Sequence, residues 1–384
     1  MKFIAKTLYG LENVLAGELK MLGAAGLKIA NRAVLFEGNR ELMYRVNYCA
    51  RTALSVLKLV DGFMISSGED LYRKSSAINW SSFLDPDTTF SVVSVVNSKL
   101  FTHTAYPGLV VKDAIADHFR KFTGRRPSVN TSDPGILINL HISGQHTDIS
   151  IDSSGVPLYK RGYRQGNPEA PLNEVLAAGI LLLSGWDASV ALTDPMCGSG
   201  TIPVEAGMMA CRIPPGKFRK EFAFMKWNDF DASLFRKVKD VSDGMIRKPP
   251  VRISASDISE KAVKQSFINI ANAGLADSIS IEVSDFRDLR PAGKEGFLVM
   301  NPPYGGRLKP GDLKELYSMI GTTLKHSYPG FRAWIITPGR ELLADIGLKP
   351  RSKQVLFNGS LECILAEFEL YAGTMKHRRA VKSS

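Results

Sequence analysis

The chain has 384 residues, of which 44% are hydrophobic and 23% charged, a composition typical of a folded protein with large cores. This length is enough for two or three domains, so a single small binding module is excluded. The formal net charge is +11, with 49 Lys and Arg against 38 Asp and Glu, which favours a polyanionic partner, nucleic acid above all.

Several other classes are disfavoured. No window approaches the roughly 18 consecutive apolar residues of a membrane-spanning helix, and the start lacks the apolar stretch of a signal peptide, so we expect a cytoplasmic protein. The four cysteines have no C-x-x-C spacing, and the six histidines form no pair at helical spacing. We therefore expect reduced thiols and no structural metal.

The amino-terminal part is predicted to form two small α+β units. The expected elements are strands at 3–7, 33–37, 89–95 and 135–142, helices over 11–19, 40–59 and 108–123, and a loop at 61–70. The basic turn Lys121-Phe122-Thr123-Gly124-Arg125-Arg126-Pro127 follows the last helix. This turn is either a solvated loop or a surface that faces phosphates.

Gly, Pro and Arg become frequent between residues 152 and 167, which predicts a linker or a domain lip over 153–170. Beyond it strands and helices alternate, and this alternation predicts a mainly parallel sheet with helices on both faces. The expected helices are 172–184, one from 201, 259–273 and 314–326; the strands are one ending at 194, then 251–257, 279–283, 296–300, 332–337 and 361–370. A basic tail, Lys376-His377-Arg378-Arg379, follows.

Ligands of such sheets lie beyond the carboxyl ends of the strands, so the loops there carry the candidate residues. The first is Asp194-Pro195-Met196-Cys197-Gly198-Ser199-Gly200-Thr201, in which two glycines let the backbone turn sharply and approach a ligand. Pro203 stands where a dinucleotide fingerprint needs a third glycine, and a phosphate loop is absent. The motif is consistent with either a structural turn or a ligand-binding loop.

The next two strand ends carry polar residues. Asp257 stands where a carboxylate accepts hydrogen bonds from ribose hydroxyls, although it could instead cap the helix that begins near residue 259. Asp285 and Phe286 suit an adenine amine and ring. About sixty residues separate Gly198 from Asp257, three times the usual spacing, which predicts a basic insertion over 212–248 that contributes to a polyanion-binding surface.

The most specific motif is Asn301-Pro302-Pro303-Tyr304, at the end of the fourth strand. The prolines fix the backbone, so the side-chain carbonyl of Asn301 and the backbone carbonyl of Pro302 can both accept from one planar NH2 group. Tyr304 can stack on the attached ring. Such a site positions an amine for attack on an electrophile without a strong base.

These motifs resemble those of known families. The loop 194–201 and Asn301-Pro302-Pro303-Tyr304 resemble class I S-adenosylmethionine-dependent methyltransferases that act on amines. A closer similarity, to bacterial 23S rRNA guanine-N2 methyltransferases with a THUMP domain, covers nearly the whole chain. It lies in Gly10-Leu11-Glu12, 90–96, 149–152, Arg161-Gly162-Tyr163-Arg164, Ala170-Pro171-Leu172-Asn173-Glu174, Ile213-Pro214-Pro215-Gly216, Asn358-Gly359 and Leu361-Glu362-Cys363.

The resemblance implies an α/β fold: a Rossmann-like class I methyltransferase domain with a mainly parallel seven-stranded sheet, preceded by α+β ferredoxin-like and THUMP domains. The expected bounds are 1–60 for the ferredoxin-like unit, 61–152 for the THUMP RNA-binding domain, 153–170 for the linker and 171–384 for the methyltransferase domain. Some longer bacterial relatives carry a second methyltransferase domain downstream, whereas this chain stops soon after its last expected strand. We therefore expect a single methylation from this chain.

The resemblance also implies S-adenosylmethionine as the cofactor and roles for individual residues. The expected cofactor contacts are Asn173, Gly198 and Gly200 on the methionine side, Asp257 at the ribose, and Asp285 with Phe286 at the adenine. Asp194 and Cys197 of the cofactor loop are also expected to contact the cofactor. Asn301, Pro302, Pro303 and Tyr304 would seat the guanine. The expected substrate is 23S rRNA, in an opened or immature form that exposes the base.

Three alternatives stay open. A tRNA guanine-N2 methyltransferase shares both the THUMP half and the Asn-Pro-Pro-Tyr motif, whereas a DNA adenine methyltransferase shares only the motif. A non-catalytic RNA-binding ribosome assembly factor would keep the fold without the chemistry. A helicase or a kinase is disfavoured because the phosphate loop is absent.

Overall fold

The computed structural model describes residues 1–166, 171–291, 293–305 and 310–372; the linker residues 167–170 and the basic tail at 376–379 lie outside these ranges. The helices are α1 (Glu12–Met21), α2 (Arg40–Cys49), α3 (Gly68–Ser76), α4 (Tyr106–Thr123), α5 (Glu174–Leu183), α6 (Thr201–Ala210), α7 (Ala232–Asp243), α8 (Glu260–Asn272), α9 (Pro310–Ser327) and α10 (Glu341–Asp345). Short 3-10 helices lie at Trp80–Ser82 and Ala223–Lys226. Within the described ranges no helix is long and apolar enough to cross a membrane.

The strands fall into two sheets. They are β1 (Lys2–Lys6), β2 (Ala25–Ala30), β3 (Ala33–Glu37), β4 (Ser55–Met64), β5 (Phe90–Asn97), β6 (Ile136–Ser143), β7 (His146–Asp152), β8 (Leu192–Asp194), β9 (Ile253–Asp257), β10 (Ile279–Val283), β11 (Phe297–Met300), β12 (Arg332–Thr337), β13 (Ser352–Asn358) and β14 (Leu361–Glu369).

The chain divides into two compact units. The first unit comprises Met1–Thr7, Ala16–Leu158 and Arg219–Val241. The second unit comprises Leu8–Leu15, Tyr159–Phe218 and the described residues from Ser242 onward. Each unit therefore includes a segment that is distant in sequence from the rest of it.

The first unit is built on one seven-stranded sheet, in the order β2-β3-β1-β4-β7-β6-β5. Its central strand β4 pairs antiparallel with β1 and with β7, so Lys58 lies between Phe3 and Ile151. The predicted helix over 40–59 is wrong in its second half. The helix α2 ends at Cys49, where Ala50 is extended, and Ser55 begins β4, because pairing with two distant strands outweighs a local helical pattern. The predicted loop at 61–70 is likewise replaced by the end of β4 and the start of α3.

The segment Arg219–Val241 completes the core of the first unit, although it is encoded inside the stretch expected to be catalytic. The Tyr44 ring of α2 lies 4.5 Å from that of Phe224 and 5.6 Å from that of Phe235, centroid to centroid. Phe224 and Phe235 are themselves 5.0 Å apart in an edge-on arrangement, as aromatic pairs prefer. The predicted insertion therefore contains an aromatic anchor as well as basic residues.

The second unit contains the mainly parallel sheet that the sequence predicts, with the seven strands that the family resemblance implies, in the order β10-β9-β8-β11-β12-β14-β13. The strands β8 to β12 are parallel, and β14 is antiparallel to both β12 and β13. All four residues of β11 are buried, as expected of a parallel strand covered on both faces. Strand order reverses between β8 and β11, and ligands of open parallel sheets bind outside such a reversal.

Candidate functional site

A cavity of about 1350 Å³ opens at the carboxyl ends of the parallel strands of the second unit. It brings together residues from all four loops that the sequence singles out. The predicted residues that line it are Asp194, Cys197, Gly198, Asp257, Asp285, Phe286, Asn301 and Pro303. The helix α8 adds Glu260, Lys261, Lys264 and Gln265, none of which the sequence analysis identified.

The glycines of the loop after β8 have different functions. Gly198 has φ of +53°, and a Cβ built there would meet no atom within 4 Å, so the backbone at Gly198 faces open space beside the cavity. Gly200 has φ of +82° and precedes α6 as its N-cap residue. A Cβ at Gly200 would lie 2.3 Å from Ser266 Oγ. Gly198 therefore keeps the cavity open, whereas Gly200 allows the loop to pack against α8.

Asp257 joins two loops at the cavity. Its Oδ2 accepts a hydrogen bond of 2.9 Å from the Gly198 N–H, and its Oδ1 accepts one of 2.9 Å from the Ser259 N–H. Ser259, not Asp257, caps α8, since its hydroxyl accepts from the Ala262 N–H at 3.3 Å. Because a carboxylate offers about four acceptor positions, Asp257 retains capacity for two further hydroxyl donors.

Two side chains of the loop 194–201, those of Asp194 and Cys197, are buried. Burial raises the pKa of Asp194 well above its ordinary value; the Met196 N–H, which donates to its Oδ1 at 3.2 Å, opposes this shift, and the charge of Asp257 adds to it. Burial also raises the pKa of the Cys197 thiol, with Asp194 and Asp257 adding to the shift. The thiol therefore stays protonated near neutral pH and is unsuited to act as a nucleophile.

Of the two predicted residues after β10, Asp285 is partly exposed and Phe286 is buried. Both carboxylate oxygens of Asp285 accept from the Arg287 guanidinium, at 3.0 and 2.7 Å, and this bond is the main reason why the pKa of Asp285 is lowered. Phe286 is buried and stacks on Tyr328, with ring centroids 5.6 Å apart, while lining the cavity. The site thus has a carboxylate oriented by a guanidinium next to an apolar wall.

The tetrapeptide 301–304 follows β11 directly. Asn301 and Pro303 line the cavity, whereas Pro302 is buried and Tyr304 half-buried beside it. The Tyr304 hydroxyl accepts a hydrogen bond of 3.3 Å from Asn358 Nδ2, and the Oδ1 of Asn358 accepts from the Asn173 N–H at 3.4 Å. Asn358 therefore links the tetrapeptide to the start of α5.

Asn173 has a structural position that sequence reasoning did not anticipate. Its side-chain oxygen caps α5, accepting from the Val175 and Leu176 N–H groups at 2.9 and 3.3 Å. Its neighbours Pro171 and Leu172 line the cavity in its place. An Asn one residue before an apolar helical run is a standard N-cap signal, and this signal was available in the sequence.

Arg164 holds the loop after β8 from outside the cavity. Its guanidinium donates to Ser199 Oγ at 3.0 Å and to Thr201 Oγ1 at 2.8 Å, and also to the Glu174 carboxylate at 2.7 Å. Burial raises the pKa of Glu174, and the charge of Arg164 opposes this. The sequence analysis included Arg164 only as part of a similar motif, because its partners are 10 to 37 residues away.

The two preceding side chains of the same motif turn into the core. Arg161 donates to the Glu205 carboxylate of α6 at 3.3 and 3.4 Å, and the Tyr163 hydroxyl donates to it at 3.4 Å. Gly162 between them has φ of +103°, and a Cβ there would lie 2.3 Å from the Phe218 carbonyl oxygen. The motif 161–164 therefore requires glycine at its second position and anchors α6 through a buried ion pair.

Three family models match the chain in succession. The RlmL ferredoxin-like domain matches residues 2–57 and the THUMP domain residues 66–152. The methyltransferase domain described as RMKL-like matches residues 161–367, which is more than half of the chain. The order of the three matches follows the order of domains that the resemblance implies.

Individual proteins are similar over most of the chain. The ribosomal RNA large subunit methyltransferase K/L of Methylococcus capsulatus is 38% identical, over 96% of this chain and 51% of its own length. "Putative RNA methyltransferase slr0064" of Synechocystis is 34% identical, over 96% of this chain and 97% of its own length. The chain thus spans about half the length of the K/L relative. The crystal structure of SMU.472, "a putative methyltransferase complexed with SAH", has a TM-score of 0.87 and 29% identity, over 97% of this chain and 98% of that one.

Proposed function

Because this chain belongs to the RMKL-like methyltransferase family with ferredoxin-like and THUMP domains, we propose that it methylates the exocyclic N2 amine of a guanine in 23S rRNA. The domain bounds 1–60, 61–152, 153–170 and 171–384 and the residue roles below are part of this proposal. The observation that carries it is the position of Asn301 and Pro303 in the same cavity as Gly198 and Asp257.

The cofactor of the chain is S-adenosylmethionine, and the residues of the cavity fit it. The cavity volume of about 1350 Å³ accommodates a nucleoside-sized ligand together with a base. Gly198 leaves open space where any other residue would place a Cβ. The carboxylates of Asp257 and Asp285 supply acceptors for hydroxyl and amine donors, and Phe286 supplies an apolar wall for a ring.

In this proposal the cofactor supplies an electrophilic methyl group, and the residues of the chain hold the guanine amine in position to accept it. The side-chain oxygen of Asn301 and the backbone oxygen of Pro302 accept the two hydrogens of the guanine amine and hold its lone pair in one direction. The half-buried Tyr304 ring stacks on the base, and the Asn358 bond to its hydroxyl fixes the ring. In this proposal the amine gives up its proton to water, since none of the residues 301–304 is a strong base.

The family matches of the first unit support the proposal of an RNA substrate. The strands β1–β3 and β5–β7 and the helices α2–α4 of this unit lie within the matches to the ferredoxin-like and THUMP domains. We assign shape and backbone recognition of RNA to this unit and selection of the base to the cavity of the second unit. Because the N2 amine is hidden in a paired helix, the substrate is an opened or immature RNA.

The test is methyl transfer from labelled S-adenosylmethionine to unmodified 23S rRNA and, in parallel, to bulk unmodified tRNA, followed by digestion to nucleosides. Label in N2-methylguanosine from rRNA is the expected result. Label from tRNA alone would support the same reaction with tRNA, and not rRNA, as the substrate. Cofactor binding without transfer to either RNA would instead support a non-catalytic assembly factor.

A further inference from the structure

One aromatic side chain of the first unit is left in solvent at the end of α4. Phe122, in the last turn of this helix, is 66% exposed, the largest exposure of any Phe, Tyr or Trp in the described part of the chain. A single exposed apolar side chain needs no explanation by itself. The groups around the ring therefore decide whether it is a binding feature.

The ring of Phe122 is flanked by a second ring and a cation. The His118 ring, one helical turn earlier, lies 4.9 Å from it between centroids, at an interplanar angle of 52°. His118 is held by Ser81, whose Oγ lies 3.2 Å from its Nε2. The Lys121 Nζ lies 5.5 Å from the centre of the Phe122 ring. Burial, and secondarily Lys121, lower the pKa of His118, so His118 is a neutral ring near pH 7.

Two of the four cations at this turn are unpaired. Arg120 is bound to Asp117 at 2.8 Å, and Arg125 to Asp87. Lys121 and Arg126 are exposed, and neither forms an ion pair with any described carboxylate. Gly124 ends the helix with φ of +71°, its N–H donating to the Arg120 carbonyl at 3.1 Å. Arg120 and Arg125 are thus engaged by carboxylates, whereas the two remaining cations lie on either side of Phe122 in sequence.

We propose that Phe122, with Lys121 and Arg126, is a stacking platform for an unpaired base of the RNA substrate and for the phosphates next to it. A ring that is two-thirds exposed and has cations on both sides in sequence suits single-stranded nucleic acid, in which each base has a π-face and each phosphate link a negative charge. A duplex does not suit it, because its bases are already stacked and shielded. The inference rests on the proposed RNA substrate and assigns it a second contact point, in the first unit.

The experiment compares the full-length chain with Phe122→Ala, Phe122→Tyr and Leu109→Ala. Leu109 is the matched control, since it is 53% exposed on the same helix but, as an aliphatic side chain, offers no ring on which a base can stack. The probes are a single-stranded RNA oligonucleotide and a blunt RNA duplex of the same sequence, and the readouts are Kd and the site of ultraviolet cross-linking.

We expect Phe122→Ala to weaken binding of the single strand roughly tenfold, equivalent to about 1.4 kcal/mol, with little effect on the duplex. Phe122→Tyr and Leu109→Ala should bind like the wild type, and the wild-type cross-link should map to residue 122. Lys121→Gln with Arg126→Gln should reduce the slope of log Kd against log salt by about 0.7 for each cation removed.

An unchanged Kd of Phe122→Ala for the single strand, or a cross-link that maps elsewhere, would overturn the assignment of Phe122 as a stacking platform. Equal losses on single strand and duplex would also overturn it, because they would indicate contact with phosphates alone. These failures are distinct from failure of the proposed function, which wild-type methyl transfer to rRNA and tRNA measures separately.

Discussion

Replacing Glu205 by Gln should lower the free energy of unfolding of the second unit by about 3–5 kcal/mol, because it leaves a buried guanidinium without its counter-charge. The side chains of Arg161 and Glu205 are 1% and 0% exposed. The Glu205 carboxylate accepts from Arg161 at 3.3 and 3.4 Å and from the Tyr163 hydroxyl at 3.4 Å. Because neither side chain is accessible to solvent, bulk water cannot solvate the Arg161 guanidinium in the variant.

The size of the second unit sets the expected thermal shift. Domains of about 150–250 residues lose roughly 2–4 °C in Tm for each kcal/mol. The transition of the second unit should therefore fall by about 6–20 °C, measured by calorimetry on the full chain. Replacing both partners, Arg161→Met with Glu205→Leu, should recover most of this loss, since it removes both buried charges.

The matched control is Glu260→Gln, which breaks the pair with Lys264 on the surface of α8. These side chains are 70% and 73% exposed, so the variant should melt like the wild type. A loss below about 1 kcal/mol for Glu205→Gln, or a double variant no more stable than the single one, would refute the assignment of the Arg161–Glu205 pair as a buried anchor of α6.

Three further predictions concern the cavity. Asn301→Ala should abolish methyl transfer while cofactor affinity, measured by calorimetry, stays within a few fold, whereas Asp257→Ala should weaken cofactor binding; equal activity of Asn301→Ala would contradict the amine-holding role. Arg164→Ala should weaken cofactor binding roughly tenfold by releasing Ser199 and Thr201, with Arg164→Lys intermediate, and an unchanged Kd would show that the loop keeps its shape without Arg164. Asp194→Asn should change the pH dependence of stability, because a carboxyl whose pKa is higher in the folded than in the unfolded state stabilises the fold at low pH and loses this contribution as pH rises between the two values. The Tm of the variant minus that of the wild type should therefore increase with pH from about 3.8 upward. A difference in Tm that is constant with pH would contradict the raised pKa of Asp194.

The sequence determined those features that depend on neighbouring residues. Helical periodicity located α4 and α8 to within a few residues, and the alternation of strands and helices predicted the parallel sheet, now confirmed. The family resemblance is confirmed by the three domain matches. The four strand-end loops were also predicted from the sequence, because parallel strands end at one edge of a sheet. The roles of the individual loop residues remain predictions.

The tertiary structure decided what depends on distant partners. Residues 55–59 have an apolar spacing that suits a helix, yet they pair with β1 and β7, whose positions no local window contains. The segment Arg219–Val241 joins the first unit through rings that meet Tyr44 of α2, far away in the chain. Arg164 became a support of the loop after β8 only when Ser199 and Thr201 were brought to it. The physical reason is the same in each case: periodicity reports which face of an element is buried, whereas the fold alone determines which element covers that face.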